Sequence, residues 1–481
     1  MAFIPSRRRE TVPLLGGALT ARSKNAHAQT LINWYPEVIT MAEKSEVTLY
    51  PTPGSIHIKN VGVGPHRGAI IHKDLAFFVS GNELISMDEN EVLTSVGTLN
   101  TYSGRVSMAS NGVFGDQLII VDGTDGYIWD GATLTAISDP DFPANPSQVV
   151  YSDSFFIVIT LNSGQFNICV SNDGTDWDGL DFANAERAPD NTIAIETLDR
   201  DIYFIGEHTT EGWTNTGGRF PFEPYTNGII EFGSAASNSI SKTESGILFL
   251  TRSKRGHGKI VKIKGTNYTI ISNTALETEI NTYGDISGAY AFTYEQAGHV
   301  FYQITFPSVD KTWVVDLGIE DPNFAWHQRS TYLGRHFAST HVYYNFKNYV
   351  GSYDSPSVRI LDLDIYTDAG LPILRERSGF HIQDKRVKIR YDKLELEFES
   401  GVGLLAGQGS DPTVILDWSD DSGNTWNSPR HIKIGKVGQY KFRAITHHLG
   451  TALDRIFRVR TSDPVKFVLL GAYADIEDLQ F

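Results

Sequence analysis

Short runs of β-branched and aromatic residues recur through residues 50–370, and each is followed by a turn and a second run. The clearest example is FFVSGNELI at residues 77–85, where Gly81 and Asn82 separate the two runs. β-branched and aromatic side chains favour strands, whereas Gly, Asn and Asp favour the tight turns between them. Six further pairs begin near residues 118, 155, 202, 247, 300 and 349. The pattern predicts a chain of antiparallel β-hairpins.

The spacing of these pairs constrains the architecture. Most begin about 35 to 50 residues apart, which is the length of one propeller blade. A blade cannot bury its own faces, so radial stacking of six or seven blades would cover both faces of each and leave only short, protected edges. We therefore expect an all-β protein with a propeller-like body over residues 31–370. A row of β-sandwiches would give similar strand spacing and is the structural alternative.

The pattern changes near residues 365–387. DAGLP at residues 368–372 is polar, and the charge-rich RER follows at residues 375–377. Beyond this point apolar and polar residues alternate, as in LELEFE at residues 394–399. Alternation with period two is typical of half-buried antiparallel strands. The sequence therefore predicts a β-sandwich-like domain over residues 371–481.

The first 30 residues have a different composition from the rest of the chain. They carry five Lys or Arg residues but a single acid, Glu10. The segment resembles an export signal, but its apolar run is short and broken by Pro and Gly. We interpret residues 1–30 as an extended basic arm, which is either a solvated tail or a segment that becomes ordered on a neighbouring subunit. Its candidate assembly contacts are Arg7, Arg8, Arg9, Arg22 and Lys24.

Length and charge narrow the classes of function. A chain of 481 residues is expected to form several domains. Its net charge of −16 argues against a protein that coats nucleic acid, because phosphate binding depends on Lys and Arg. No apolar stretch approaches the roughly 20 residues that cross a bilayer, so no membrane span is expected. The one cysteine, Cys169, lies in an alternating run and is predicted to be a buried, unreactive thiol.

Two turns match the Asp-box pattern S-x-D-x-G-x-T-W, one closely and one loosely. The close match is formed by Ser419, Asp421, Gly423, Thr425 and Trp426, and the looser one includes Asp173, Gly174 and Trp177. Asp boxes occur in sialidase-type propellers, so a glycosidase must be considered. The motif itself is structural, because its Asp and Gly close a hairpin turn and its Trp packs beneath that turn. Two such turns do not supply the paired acids of glycoside hydrolysis.

Other motifs are weaker. GVGLLA at residues 401–406 fits a dinucleotide fingerprint by letter, but GQGSDP follows it and cannot open the required helix. The histidines near residues 327–341 and at residues 447–448 have no metal-site spacing. The sequence contains neither a nucleophile elbow nor a phosphate-binding loop. We therefore expect no enzyme activity, no cofactor and no bound metal. Asp residues on turns, such as Asp122 and Asp362, are expected to cap those turns.

Several segments together resemble the packaged-DNA stabilisation family, the tail hub or nozzle proteins of P22-like podoviruses. The resemblance spans most of residues 30–475, and it depends on the order of the segments more than on any single one. The segments are YPTPG at 50–54, GRVSMA at 104–109, NDGTDW at 172–177 through APDN at 188–191, GE at 206–207 through WTNTG at 213–217, RER at 375–377, GQGSDP at 407–412 and FRVRTSDP at 457–464.

The resemblance implies a structural virion protein in the phage tail, assembled in the cytoplasm of the bacterial host. It implies a homo-oligomeric ring, commonly of six copies, attached below the portal and adaptor. Such a ring would close or gate the DNA exit channel and carry attachment surfaces for fibres or spikes and for a tail needle. Double-stranded DNA would pass without sequence-specific binding, and an acidic bore would limit its sticking.

Two alternatives follow from the Asp boxes. One is a glycan-directed β-propeller with glycosidase activity, which would release sugar from glycans. The other is a carbohydrate-binding virion module without turnover, in which Trp177 or Trp426 would serve as a stacking platform.

Overall fold

The structure is a computed structural model, and it describes residues 7–20, 28–38, 47–161, 163–185, 190–252 and 258–479. Its N-terminal segment contains short strands only. These are β1 (Arg7–Thr11), β2 (Leu19–Thr20), β3 (Ala28–Gln29), β4 (Leu31–Ile32), β5 (Trp34–Val38) and β6 (Val47–Pro51).

After β7 (Gly54–Asn60), the chain forms five separate four-stranded antiparallel sheets in sequence order. Blade 1 is β8 (His66–His72), β9 (Leu75–Ser80), β10 (Glu83–Met87) and β11 (Leu93–Thr98), and blade 2 is β12 (Ser107–Ser110), β13 (Leu118–Val121), β14 (Gly126–Trp129) and β15 (Leu134–Ala136). Blade 3 is β16 (Pro146–Ser152), β17 (Phe155–Thr160), β18 (Gln165–Val170) and β19 (Asp173–Asn184), and blade 4 is β20 (Thr192–Leu198), β21 (Asp201–Gly206), β22 (Thr210–Asn215) and β23 (Phe222–Ile230). Blade 5 is β24 (Ser241–Thr243), β25 (Gly246–Arg252), β26 (Gly258–Lys264) and β27 (Asn267–Ile270).

Two further blades belong to larger sheets. Blade 6 is β28 (Tyr290–Gln296), β29 (His299–Phe306), β30 (Lys311–Asp316) and β31 (Trp326–Thr331), with β32 (Gly334–Arg335) paired to β31. Blade 7 is β33 (Ala338–Tyr344), β34 (Lys347–Ser352) and β35 (Ser357–Asp362), and its fourth strand is β7. With the five separate sheets, the described residues form seven blades.

The propeller is closed by a strand from its own beginning. β7 lies antiparallel to β35, with Gly54 opposite Asp362 and Asn60 opposite Ser357. The first propeller strand is thus the outer strand of the last blade. This pairing fixes both ends of the propeller together and leaves no blade with a missing neighbour.

Each pair of neighbouring blades shares a buried apolar cluster. On β9, Phe77 belongs to the cluster between blades 1 and 2, whereas Phe78 belongs to the cluster between blades 7 and 1. Both side chains are 0% exposed. Consecutive strand residues face opposite sides of a sheet, so the apolar runs in the sequence supply both faces of a blade. This explains why the central strands lack a polar face.

The strands after blade 7 extend its sheet and then build the two packed sheets of the sandwich. β36 (Thr367–Asp368) and β37 (Leu371–Pro372) continue the sheet of blade 7 beyond β7, with β36 parallel to β7. The sandwich strands are β38 (Arg375–Ser378), β39 (Lys388–Phe398), β40 (Thr413–Ser419), β41 (Arg430–Lys433), β42 (Ala444–Ala452), β43 (Ile456–Thr461) and β44 (Leu469–Leu479). One sheet has the order β42-β39-β44-β6-β5, and the other continues blade 6 through β31-β4-β38-β43-β40-β41. Alternating buried residues on β39 and β43 form the core between them. Together with the propeller, this arrangement confirms the predicted all-β fold.

The N-terminal segment packs on the sandwich of its own chain. β4, β5 and β6, which were predicted from the sequence to belong to the propeller, pair instead with the sandwich sheets. Trp34 on β5 is 0% exposed and donates its indole N–H to the carbonyl of Phe467 at 2.8 Å. The reason is burial: this segment supplies apolar side chains that complete the sandwich core.

A buried arginine holds the segment in place. The guanidinium of Arg377 donates to the carbonyls of Leu14 at 2.6 Å and Gly17 at 2.9 Å, and to Oε1 of Gln29 at 3.0 Å. Burial lowers the pKa of Arg377 to about 9, so the side chain is still cationic at neutral pH. The described part of the predicted arm is therefore tied to its own sandwich.

Helices are few and short in the described residues. They are α1 (Gly112–Gly115), α2 (Thr274–Ile280) and α3 (Pro322–Ala325), together with two 3-10 turns at Ser237–Ser239 and Pro307–Val309.

Gly54 lies where β7 closes the propeller, and we expect Gly54→Ala to destabilise the protein. An added Cβ would lie 2.3 Å from the carbonyl oxygen of Ile365. The same oxygen accepts a hydrogen bond from the N–H of Gly54, so it cannot move away without loss of that bond. Overpacking of this kind costs about 1–3 kcal/mol. The free energy of unfolding in urea measures the effect. Gly288→Ala is the control, because nothing lies within 4 Å of its added Cβ. Equal stability of the two variants would contradict the close approach.

Candidate interaction surfaces

Three of the predicted assembly arginines contact this same chain. Arg7, Arg8 and Arg9 lie on β1, which pairs antiparallel with β44 from Arg7 opposite Glu477 to Thr11 opposite Tyr473. Arg7 lies 3.6 Å from the carboxylate of Glu477, and Arg8 forms an ion pair with Asp478. The acidic end of β44 thus neutralises the basic strand. An assembly role for these arginines stays a prediction, and Arg22 and Lys24 lie outside the described residues.

Glu395 is the centre of a second ion-pair network at this edge. Its carboxylate accepts from Arg443 Nε at 2.6 Å and from Arg9 Nη2 at 2.9 Å. The hydrogen bonds from Arg443, supported by those from Arg9, lower the pKa of Glu395 to about 2. The network therefore joins the N-terminal strand to the outer strands of the sandwich.

The first Asp box lies in the hairpin between β18 and β19 and joins two blades. The carboxylate of Asp173 accepts from the hydroxyl of Thr175 at 2.6 Å and from the side-chain amide of Gln117 in blade 2 at 3.1 Å. The backbone N–H of Gly174 donates to Oε1 of Gln117 at 2.7 Å. Trp177 donates its indole N–H to the carbonyl of Gly174 at 2.8 Å. These bonds close the turn and tie blade 3 to blade 2.

The second Asp box follows β40 in the sandwich. Asp421 accepts from the backbone N–H of Thr425 at 2.8 Å and from its hydroxyl at 2.6 Å, and these bonds lower the pKa of Asp421 to about 2. The hydroxyl of Ser419 accepts from the N–H of Gly423 at 2.8 Å. All of these groups are local to one turn, and the carboxylate is used to hold that turn.

Both Asp-box tryptophans pack against neighbouring side chains. Trp177 is 3% exposed and packs edge-on against Phe142 at a centroid distance of 5.1 Å. Trp426 has the guanidinium of Arg458 over its ring, 3.8 Å from the centroid. A sugar stacks on an open aromatic face. Trp177 offers none, and Arg458 occupies one face of the half-buried Trp426.

The first strands of all seven blades line a central cavity of ≈ 520 Å³. Its charged side chains are engaged within the chain. Arg67 donates to four backbone carbonyls, those of Gly81, Thr101, Ser103 and Gly104. Glu196 and Lys242 form an ion pair at 3.1 Å. A space of this size is that of a small-molecule pocket, and it is too small for a duplex.

The remaining chemically notable side chains are buried. Burial lowers the pKa of His327 to about 3 and that of His341 to about 4, and it lowers that of His336 well below its ordinary value. These imidazoles are neutral at physiological pH. Burial raises the pKa of the Cys169 thiol to about 12, so the thiolate is scarce. Across the described ranges, no group of three His, Cys, Asp or Glu side chains is placed to hold a metal ion.

Trp177→Ala should destabilise the propeller by about 3–5 kcal/mol, because it removes a fully buried indole at the contact of blades 2 and 3. Leu180 lies three residues further on and is 75% exposed, so Leu180→Ala should change stability by less than about 0.5 kcal/mol. Urea unfolding of both variants provides the measurement. A small effect at Trp177 would mean that the Asp-box tryptophan is not part of the packing.

The low pKa of Glu395 predicts a pH dependence. The pKa of Glu395 is lower in the folded protein than its ordinary value of 4.5, so this carboxylate contributes its full stabilisation at pH values above 4.5. The contribution is lost as pH falls from about 4.5 to 2. Glu395→Gln should cost about 1 kcal/mol at pH 7, because both arginines are partly exposed. The difference from wild type should vanish in urea unfolding near pH 2. Glu89→Gln, at an exposed site, should differ from wild type by the same small amount at every pH. If the free energy of unfolding of Glu395→Gln also ran parallel to that of wild type across this pH range, the network would be contradicted.

Comparison with known proteins identifies related sequences and folds. Residues 10–366 match the β-propeller of bacteriophage P22 Gp10, a phage stabilisation protein, and residues 378–477 match its β-sandwich. No curated protein matches the chain. In the parts of the chain that the structure describes, no helix has the length and apolar character needed to cross a membrane.

Solved structures with similar folds are distant. Virginiamycin B lyase from Staphylococcus aureus is 10% identical, with 64% of this chain and 98% of that chain covered and a TM-score of 0.43. The Pan2 WD40 domain of Neurospora crassa is 8% identical, with coverages of 67% and 96% and a TM-score of 0.41. BamB from Moraxella catarrhalis is 11% identical, with coverages of 70% and 98% and a TM-score of 0.40. Likenesses this weak carry no argument about function.

The two family matches together span nearly the whole chain; the first contains all seven blades, and the second covers the sandwich strands from β39 onward. The protein is therefore a phage structural protein, a component of the virion that belongs to the bacteriophage P22 Gp10 stabilisation family.

Proposed function

We propose that this chain is the tail hub, or nozzle, subunit of a short-tailed phage. Copies of it, six by the family resemblance, form a ring below the portal and adaptor in the tail, after assembly in the host cytoplasm. The ring closes or gates the DNA exit channel and so retains packaged DNA. The observation that carries this proposal is the ordered match of both domains to the P22 stabilisation protein over residues 10–366 and 378–477.

The passage for DNA would lie between subunits. The cavity inside one propeller holds ≈ 520 Å³, which cannot admit a duplex. A ring of subunits provides a wider bore, and loops that face this bore would act as the gate. The net charge of −16 supports passage without adhesion, since acidic walls repel phosphates.

The outer surfaces of the ring would hold fibres or spikes and a tail needle. A closed ring of identical subunits needs two different complementary surfaces on each copy. The propeller and the sandwich are both large, and they present different loops, so such surfaces are available on this fold.

A glycan-directed function has less support. The two tryptophans that would form stacking platforms are a buried one, Trp177, and one covered by an arginine, Trp426. The Asp-box carboxylates of Asp173 and Asp421 are engaged in their own turns. Release of sugar from host glycans by the purified protein would favour this function over the tail hub.

Cryo-electron microscopy of the protein mixed with the portal and adaptor complex of its phage tests the proposal. We expect a closed ring docked below the adaptor, because both domains match the stabilisation protein. Particles that lack the protein should also leak DNA into a nuclease-sensitive form. A protein that stays monomeric with the complex, and particles that retain DNA without it, would overturn the tail-hub function. The portal and adaptor complex alone is the control.

A further inference from the structure

The outer edge of blade 3 is irregular. Trp177 of β19 pairs with Cys169 of β18, and Phe182 pairs with Asn167. Residues 178–181 therefore stand opposite a single residue of β18 and bulge away from the sheet. β19 is the last strand of its sheet, and its outer side pairs with no other described strand. The bulge is consequently displayed on the rim of the propeller.

The bulge is both apolar and acidic. Leu180 is 75% exposed, and Phe182, which ends the bulge, is 42% exposed. Asp178 and Asp181 flank Leu180, and neither forms a salt bridge with a described residue. Edge strands normally avoid exposed apolar side chains, because an open edge invites association. We call residues 178–182 the blade-3 bulge.

A second exposed apolar surface lies on the sandwich, where the loops over residues 399–412 and 434–443 meet. The N–H of Gly438 donates to the carbonyl of Gly401 at 3.2 Å, and this bond holds the two loops together. Five large apolar side chains there are 40% to 92% exposed: Leu404, Leu405, Val437, Tyr440 and Phe442. We call these two loops the sandwich loop surface.

The loop over residues 434–443 is basic, whereas the acids of the other loop, Glu399 and Asp411, form ion pairs with Lys466 and Lys433. Residues 436–443 read KVGQYKFR, and each of them is exposed. Lys436 and Lys441 form no salt bridge with any residue that the structure describes. Arg443, in contrast, is held by Glu395. Two cations without a salt bridge therefore lie among exposed aromatic and aliphatic side chains on a chain with a net charge of −16.

The two surfaces are complementary but cannot meet within one chain. Each combines exposed apolar side chains with charges outside any salt bridge, and the charges are of opposite sign. The sandwich continues the sheet of blade 6, whereas the bulge lies on blade 3, three positions away in a ring of seven blades. In a ring of seven blades, positions 3 and 6 are separated by the central cavity of the propeller. A contact between them therefore requires a second copy of the chain.

We propose that the sandwich loop surface of one copy docks on the blade-3 bulge of the next. Leu405 and Tyr440 would cover Leu180 and Phe182, and Lys436 and Lys441 would face Asp178 and Asp181. The contact joins two different surfaces, so each copy can hold one neighbour on either side, and repetition generates a closed ring. This interface rests on the proposed tail-hub function and names its subunit contact.

The test is cross-linking in purified phage particles that carry the full-length double variant Leu405→Cys with Leu180→Cys. Both sites are exposed, at 92% and 75%, and the native Cys169 is 1% exposed and unreactive. A short bis-maleimide should give a ladder of linked copies on a denaturing gel. The control is Leu405→Cys with Phe346→Cys, because Phe346 is 89% exposed and lies on blade 7, three positions from blade 3 in the ring of blades. The control should give no ladder.

Imaging the same particles separates the two ways of failing. A ring together with a ladder supports the interface. A ring without a ladder, or a linkage from the thiol introduced by Leu405→Cys to another virion protein, overturns the interface and leaves the tail-hub function standing. Particles in which this protein forms no ring overturn both.

Charge reversal gives a second readout at the same contact. Lys436→Glu with Lys441→Glu should lower the ladder yield roughly tenfold. Adding Asp178→Lys and Asp181→Lys to the same chain should restore it. All four sites are on the surface, so folding should be retained. A yield that does not change with either reversal would overturn the proposed charge pairing and the interface with it.

Discussion

The fold depends on burying both faces of every blade. A sheet such as blade 1 is apolar on both sides, as the buried pair Phe77 and Phe78 shows, and each face is covered only by a neighbouring blade. A row of blades would leave two end faces in water, so the row must close. Closure by β7 against β35 joins residues about 300 positions apart and completes the last interface. The other inter-blade clusters depend on this closing interface, because without it the first and last blades would each expose an apolar face to water.

The sandwich is not an appendage but an extension of the propeller. Its second sheet is continuous with blade 6 through β31 and β4, and one apolar cluster runs from the contact of blades 5 and 6 into the sandwich core. The N-terminal segment is the third component, fixed by Arg377 to backbone carbonyls and by β1 to β44. A buried guanidinium with several carbonyl partners specifies one path for the chain, because any other path would leave the charge without partners.

These features bear on the role in the virion. The propeller and the sandwich share a sheet and an apolar cluster, which connect the blade-3 bulge and the sandwich loop surface within one subunit. In the proposed ring, the angle between these two surfaces would set how successive copies turn about an axis and therefore how many copies close the ring. The charged side chains of the propeller cavity and of the Asp-box turns form hydrogen bonds within the chain. The exposed loops on the rim of the propeller and on the sandwich are therefore the surfaces that we propose for partner binding.

Sequence alone determined the strands, the turns and the two-part β architecture. Alternation and β-branched runs act over a few residues, and the Asp-box turns at Asp173 and Asp421 are local, so both are legible in the chain. The resemblance to a phage stabilisation family came from the order of short segments, and the family matches confirm it. Tertiary structure decided the rest. The pairing of residues 31–38 and 47–51 with the sandwich, the partners of Arg7 to Arg9 and the closing register of β7 all join positions hundreds of residues apart. The bulge at residues 178–181 left one signal, the DGLD that interrupts the alternation of β19, but only pairing with β18 shows it as a bulge. Such pairings are set by which distant surfaces bury each other, and no local preference of the chain encodes that choice.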